Sequence, residues 1–289
     1  MNMKKFLVLA ASVLAFFACS KQDVVDVQKS DSEKAVFHAT MESIVSPGTK
    51  IYSDNKLNVL WNADDRITVF NKRTYNDQFK FLGEDGDCGG DFEEIPASGF
   101  ISGNDIEHIF AIYPYVKKSN KINNSGTVLT VTLPDVQTYK ENSVGIGANY
   151  MVAASDDMYL QFKNVCGYLR FRFYGEGVSV SSVTLEGNNG EKLAGKADVA
   201  MEVGELPETS MQSTATGSIT LACETPVALG DSAENATEFI FVVPPTTFSG
   251  GFKVTVTGES GSTFVKSTSK SITITRSKME SMGAMKVTF

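Results

Sequence analysis

The chain has 289 residues, of which 42% are apolar and 10% aromatic, with a formal net charge of −8. That apolar share suffices for a packed core and excludes global disorder. The acidic balance excludes a nucleic-acid binder, which needs a basic footprint to displace counterions.

Lys4 and Lys5 form a short basic stretch, and Phe6 to Phe17 follow without a charge. A helix needs roughly 20 apolar residues to span a bilayer, so this run is too short. It fits the core of a secretory signal, about 7–15 residues long. The run stops at Ala18 and Cys19. A small residue followed by cysteine resembles a bacterial lipobox, whose cysteine is lipidated and becomes the new N-terminus. Phe16 and Phe17 stand where such boxes carry Leu and a small residue. The expectation is a signal peptide over 1–18 and a lipid, palmitate among its chains, on Cys19. Two or more acyl chains hold a protein stably where one holds it marginally. The alternative is an ordinary signal with a cysteine at its end.

Taking residues 1–18 from 289 leaves 271, and losing Lys4 and Lys5 leaves 24 basic against 34 acidic residues, a net −10. That length makes one large domain or two ordinary ones. Ser20 to Lys34 is polar and lacks aromatic residues. Positions 19–34 are therefore expected to be a lipidated tether.

Beyond the tether, alternation with period two replaces any helical period and predicts half-buried strands. His38 falls in the strand-like "AVFHATME". In "TVLTVTL", Leu129, Val131 and Leu133 share a face. In "YLRFRFY", Leu169, Phe171 and Phe173 lie opposite Arg170 and Arg172. "GFKVTVTG" repeats the pattern with Phe252, Val254 and Val256, and "KSITITR" with Ile272 and Ile274. Turn signals separate these runs. Hairpins are expected at "EGNNGEK", around Asn188 and Gly190, and at "TGESGST", around Gly258 and Gly261. "AASDDMY", Ala153 to Tyr159, interrupts two strand-like runs and predicts a boundary between domains 35–157 and 158–289. The fold class is all-β.

The sequence contains no HExxH, GxSxG or GxxxxGK[ST] motif, and its two histidines are His38 and His108. No enzyme, metal or cofactor is expected. "GIGANY", with Gly145 and Gly147, reads as turn chemistry. "GEDGDCGGD" places Asp85, Asp87 and Gly90 at the first, third and sixth positions of a calcium loop. Gly89 and Pro96 occupy the fifth and twelfth, where ligands belong, so an acidic turn is the better reading. If Cys19 is lipidated, Cys88, Cys166 and Cys223 remain, an odd set that cannot fully pair. Buried thiols, such as Cys166 within a strand, or one disulfide of unassigned partners are both open. "DSA" at Asp231–Ala233 resembles a short O-glycosylation signal of Bacteroides-type bacteria and makes Ser232 a candidate.

Four stretches, in order, resemble the fimbrillin family of Bacteroidetes, the subunits of type V pili. The first is "VFHATMES", then "GTK", then "VLWNADDRITVF", similar to W-x-x-G-D-x-I-x-V-F through Trp61, Asp65, Ile67, Val69 and Phe70. Asp64 replaces the usual glycine. The others are "FAIYPY" with "LPDVQTY", carrying Pro134 and Gln137; "LQFKNVCGYLRFRF"; and "FVVPPTTFSGGFKVTV".

The resemblance implies two tandem transthyretin-like β-sandwiches in an outer-membrane lipoprotein at the cell surface or in a fimbrium. In polymerising members, a protease cuts after a basic residue behind the first strand. That strand leaves, and a C-terminal strand of another subunit fills the groove. Here the first strand corresponds to Ala35–Glu42 and the loop to Ser43–Lys50, where Lys50 replaces the arginine of many members. "ITITRSKMESMGAMKVTF" at the C-terminus is suited to donation, or completes its own sandwich. The implied partners are other pilin subunits, the outer membrane and a host or bacterial surface receptor. The implied roles are stalk, anchor or tip component in adhesion. The alternative function is a surface lipoprotein that captures glycans.

Overall fold

The computed structural model describes residues 34–45, 56–57, 59–71, 77–95, 109–116, 121–122 and 127–289. Lys34–Phe289 forms one compact unit. Among the described residues every regular element is a β-strand, as the alternation predicts.

Seven strands close a barrel. Around it run Val36–Met41, Tyr159–Asn164, Met151–Ser155, Ile109–Tyr113, Arg66–Asn71, Asp77–Phe81 and Gly89–Glu94, which returns to the first. All contacts are antiparallel except that of Val36–Met41 with Tyr159–Asn164. The division expected at 157/158 thus falls inside the hairpin that joins Met151–Ser155 to Tyr159–Asn164. The barrel interior is aromatic. Trp61 packs against Phe81, Phe92, Tyr113 and Phe162, with ring centroids 4.9 to 5.8 Å apart.

The remaining chain builds layers beside the barrel. A five-stranded sheet runs Val136–Thr138, Ser218–Ala228, Ser179–Gly187, Phe252–Gly258, Thr263–Thr268. A three-stranded sheet has Gly167–Tyr174 at its centre, between Thr237–Val243 and Met279–Lys286. Leu169, Phe171 and Phe173 face Val183, Leu185, Val254 and Val256 in the core between these sheets. The opposite face of the three-stranded sheet carries Tyr168, Ile240 and Val242 into a middle core. There they meet Phe70, Ile112 and Val152 from the barrel wall, and Leu129, Val131 and Leu133. That last strand, Val128–Leu133, pairs with Gly195–Ala200.

Two sequence expectations change. "EGNNGEK" is a turn, with Gly190 at φ 73°, but it joins no hairpin. The preceding strand, Ser179–Gly187, pairs with Ser218–Ala228 and Phe252–Gly258, while Gly195–Ala200 belongs to another sheet. At this turn the Asn188 amide donates to the Gly250 and Thr268 carbonyls at 2.7 and 2.9 Å, which ties it to the segments flanking Phe252–Gly258 and Thr263–Thr268. Cys166 sits in the turn between Tyr159–Asn164 and Gly167–Tyr174 rather than within a strand. "TGESGST" is the expected hairpin, with Thr257 opposite Thr263.

Gln137 takes the place of a missing strand neighbour. Its amide donates to the Val242 carbonyl at 2.7 Å and accepts from the Val242 N–H at 3.0 Å. Gln137→Leu strands both buried backbone groups, each worth about 1–3 kcal/mol when unpaired. The expected outcome is a loss of at least about 2 kcal/mol in urea unfolding, with the strand content by circular dichroism unchanged.

Candidate functional site

The strand Val36–Met41, here the leading strand, alternates Phe37 and Ala39 inward with His38 and Thr40 outward. Both of its edges are occupied. Val36 to Thr40 lie opposite Glu93 to Gly89 on one side, and His38 to Met41 lie beside Tyr159 to Phe162 on the other. Phe37 meets Phe79 at 5.1 Å between ring centroids. Outside, His38 Nδ1 lies 2.9 Å from Asp91 Oδ1, and Lys34 pairs with Glu93 at 2.9 Å. Gly89 and Gly90 suit this packing. A Cβ on Gly89 would stand 3.1 Å from the Ala39 carbonyl oxygen, and one on Gly90 would stand 2.8 Å from the Phe81 ring. Withdrawing the leading strand would bare two facing backbone edges and an apolar slot, the arrangement that β-augmentation fills.

The acidic turn serves as a brace. Asp85 Oδ1 accepts the Ala63 N–H at 2.7 Å, and Asp87 Oδ2 accepts the Glu84 N–H at 2.9 Å. Trp61 N–H donates to the Asp87 carbonyl at 2.8 Å. Asp64, at the position that the W-x-x-G-D pattern gives to glycine, adopts φ 69°. Aspartate tolerates this left-handed region better than most residues, so the turn forms without glycine. Asp65 accepts from the Asn62 N–H at 2.8 Å and from the Tyr113 hydroxyl at 3.1 Å. Burial outweighs these bonds and raises its carboxyl above the ordinary 3.8.

A polar network joins the end of the leading strand to the chain's last turn. The Arg276 guanidinium reaches both Glu42 carboxylate oxygens, at 2.5 and 3.1 Å, and the Asn164 carbonyl at 3.0 Å. The Asn164 N–H donates to Glu42 at 3.0 Å, and its side-chain amide donates to the Glu42 carbonyl at 3.2 Å and to Ser277 Oγ at 3.0 Å. Ser277 Oγ donates to the Ser43 carbonyl at 3.2 Å. The Tyr168 hydroxyl lies 2.8 Å from Asn149 Oδ1 and 3.0 Å from Asn164 Oδ1. Burial keeps that phenol well above 10, so it remains a donor. Burial raises the Glu42 carboxyl too. The Arg276 hydrogen bond, the Asn164 N–H and the charges of Arg276 and Lys163 outweigh it and hold the group below its ordinary 4.5.

Past the network comes the closing strand, Met279–Lys286. It runs parallel to Gly167–Tyr174, with an irregularity between Arg170 and Arg172. It is the edge of its sheet, and along it and the chain end only Met279 and Val287 are buried. Phe289 is 49% exposed and lies against Gly258. The C-terminal segment thus completes its own sheet in the single chain.

Cys19 and Lys50 lie outside the described residues, as does His108. Ser232 is half-buried in a bend of the loop before Thr237–Val243. Cys166 and Cys223 are free thiols, and Cys88 is half-buried in the acidic turn. Burial pushes Cys166 up to about 12 and Cys223 up to about 11. A cleft of about 350 Å³ lies between the Tyr159, Gln161 and Lys163 side of its strand and the Met201–Pro207 loop. The network escaped sequence reasoning because Glu42 and Arg276 are 234 residues apart. The one local signal was Asn164, a polar residue in an otherwise buried stretch.

No family model matches the chain, and no curated protein does. Among solved structures, a candidate cell adhesion protein from Bacteroides ovatus is similar at 15% identity and a TM-score of 0.50, over 83% of this chain and 87% of that one. Another from Bacteroides uniformis is similar at 14% identity and a TM-score of 0.50, over 89% and 94%. The chain shares their fold.

Because the folded Glu42 carboxyl lies below 4.5, its contribution is present above that value and fades as pH falls through the lowered one. Glu42→Gln is expected to unfold at lower urea than the parent at neutral pH, with the gap closing under acid. The side chains of Arg276 and Glu42 are 14% and 22% exposed. The neutral gap should therefore fall between the ~1 kcal/mol of a surface pair and the ~3–5 kcal/mol of a broken buried one. A gap that stays constant with pH would assign the loss to packing.

Proposed function

We propose that this chain is a fimbrillin-like lipoprotein of the cell surface, a structural or adhesive subunit of a type V pilus joined to its neighbours by strand donation. The main support is the fold shared with candidate cell adhesion proteins over 83% and 89% of the chain. The four ordered motifs support the same reading. So does a leading strand hydrogen-bonded on both edges, whose place an extended segment can take. Head-to-tail filling of such a slot gives an open filament, because the contact does not close on itself.

In this reading residues 1–18 direct export, Cys19 carries the lipid and 19–34 form the tether to the outer membrane. The parts 35–157 and 158–289 are the transthyretin-like pair, with Tyr159–Asn164 lent back to the first. Lys50 is the processing site and Ser232 a glycan acceptor. Other pilin subunits are the partners, and a surface receptor the target.

A second reading, glycan capture, is favoured by Tyr159, 57% exposed beside the cleft. A glycan array separates the two.

Two outcomes are expected. Cys19→Ala loses incorporation of labelled palmitate and is released from the membrane; label that persists on the variant removes the anchor. Deleting the residues after Met279 abolishes filaments seen by immunogold electron microscopy of sheared surface material, while the monomer stays folded by circular dichroism. A monomer that unfolds would confine the segment to its own sheet.

A further inference from the structure

We propose that Glu42, Ser43, Arg276 and Ser277 form a latch that makes docking of the closing strand conditional on seating of the leading strand. The latch concerns a single chain. Only its use in assembly, freeing a donor strand once the leading strand is gone, rests on the pilus reading.

Three segments meet at one point: the end of the leading strand, the Asn164–Tyr168 turn, and the Arg276–Lys278 turn that delivers Met279. Ser277 holds the last of these in a left-handed conformation, φ 58°, which is uncommon outside glycine and persists only where surroundings enforce it. Its N–H donates to the Cys166 carbonyl at 2.9 Å. Its hydroxyl accepts from Asn164 and donates to Ser43. Lys278 then receives the Tyr168 N–H at 2.9 Å, the first bond of the parallel pairing.

Removing the leading strand with Glu42 and Ser43 deletes five hydrogen bonds here. Arg276 loses both carboxylate contacts and Asn164 loses two acceptors. The Ser277 hydroxyl loses the Ser43 carbonyl. A shielded guanidinium is left with one carbonyl, an unfavourable state for a charge largely withdrawn from water. The turn relaxes most readily by unwinding, which returns Arg276 to solvent and Ser277 to an ordinary conformation. Unwinding pulls on Met279. What then retains the closing strand is its ladder to Gly167–Tyr174 on one edge, the half-buried Met282 and Met285, and the Arg170 Nε bond to Ser281 Oγ at 3.0 Å, since Met279 is its one fully buried residue.

The latch is tested on the full chain by backbone deuterium exchange read by mass spectrometry. Glu42→Gln is nearly isosteric and removes the charge from one side, and Arg276→Gln removes it from the other. Each is expected to speed exchange roughly tenfold or more in both 36–41 and 279–286, since local openings track the contacts that hold them. Exchange in 252–258 and 179–187 should hold at the parent rate. The double variant should be no faster than the quicker single one, because both changes act on one pair. Faster exchange at only one of the two strands overturns the proposal, as does no change or an equal rise through 252–258. Filament formation plays no part in this readout, so a chain that never polymerises can still display the linked rise, and one that polymerises can lack it.

Discussion

A closed sheet leaves no backbone edge, and that constraint governs the first half of this molecule. Every buried backbone donor and acceptor needs a partner, and a barrel meets the demand only when its last gap is filled. Here the gap lies between Gly89–Glu94 and Tyr159–Asn164, and Val36–Met41 fills it. The aromatic interior depends on the same closure. Phe37 caps the packing around Phe79, and Phe162, which touches Trp61, sits on the strand that the leading strand covers. Six residues therefore satisfy two edges and seal one core.

The sheet centred on Gly167–Tyr174 does comparable work on its two faces. Leu169, Phe171 and Phe173 serve the sandwich core, while Tyr168 serves the core against the barrel wall. Arg170 and Arg172 alternate with the phenylalanines and share Glu238 on the neighbouring strand. Thr237–Val243 ends in a run of five buried residues, Phe239–Val243, because both of its faces are covered there. A sheet covered on both faces reads as continuous apolar sequence rather than as alternation.

Period-two patterning made single strands legible, since it depends only on which face of one segment is buried. Leu129 with Val131, and Val254 with Val256, point inward as their spacing requires. Pairing was not legible, because it depends on partners far along the chain. Nothing in "TVLTVTL" announces that it lies beside Gly195–Ala200. "EGNNGEK" carries the residues of a hairpin turn, but the strand before it pairs with Ser218–Ala228 and Phe252–Gly258, and Asn188 bonds to the Gly250 and Thr268 carbonyls. Gly90 stood where a calcium loop has its glycine and Gly89 where it has a ligand, whereas in the fold their lack of a side chain admits Phe81 and Ala39. The resemblance to W-x-x-G-D-x-I-x-V-F located Trp61 and Asp65 and brought the leading strand into view. It carried no trace of Glu42 meeting Arg276, a contact made by chain ends that only the finished fold unites.

The two ends are attached in the same way, and that parallel explains why the junction between them is polar. The leading strand runs parallel to Tyr159–Asn164, and the closing strand runs parallel to Gly167–Tyr174. These two hosts are consecutive in sequence, joined by the short turn at Val165 and Cys166. Parallel pairing is slightly weaker per residue than antiparallel, and both pairings span more than a hundred residues of chain, so they close large loops. The two added strands are the first and the last of the described strands. An apolar junction would hold both ends without regard to each other, because hydrophobic contact is non-directional. Hydrogen bonds and a guanidinium–carboxylate fork require defined partners, so at this turn the position of one end becomes a condition on the other.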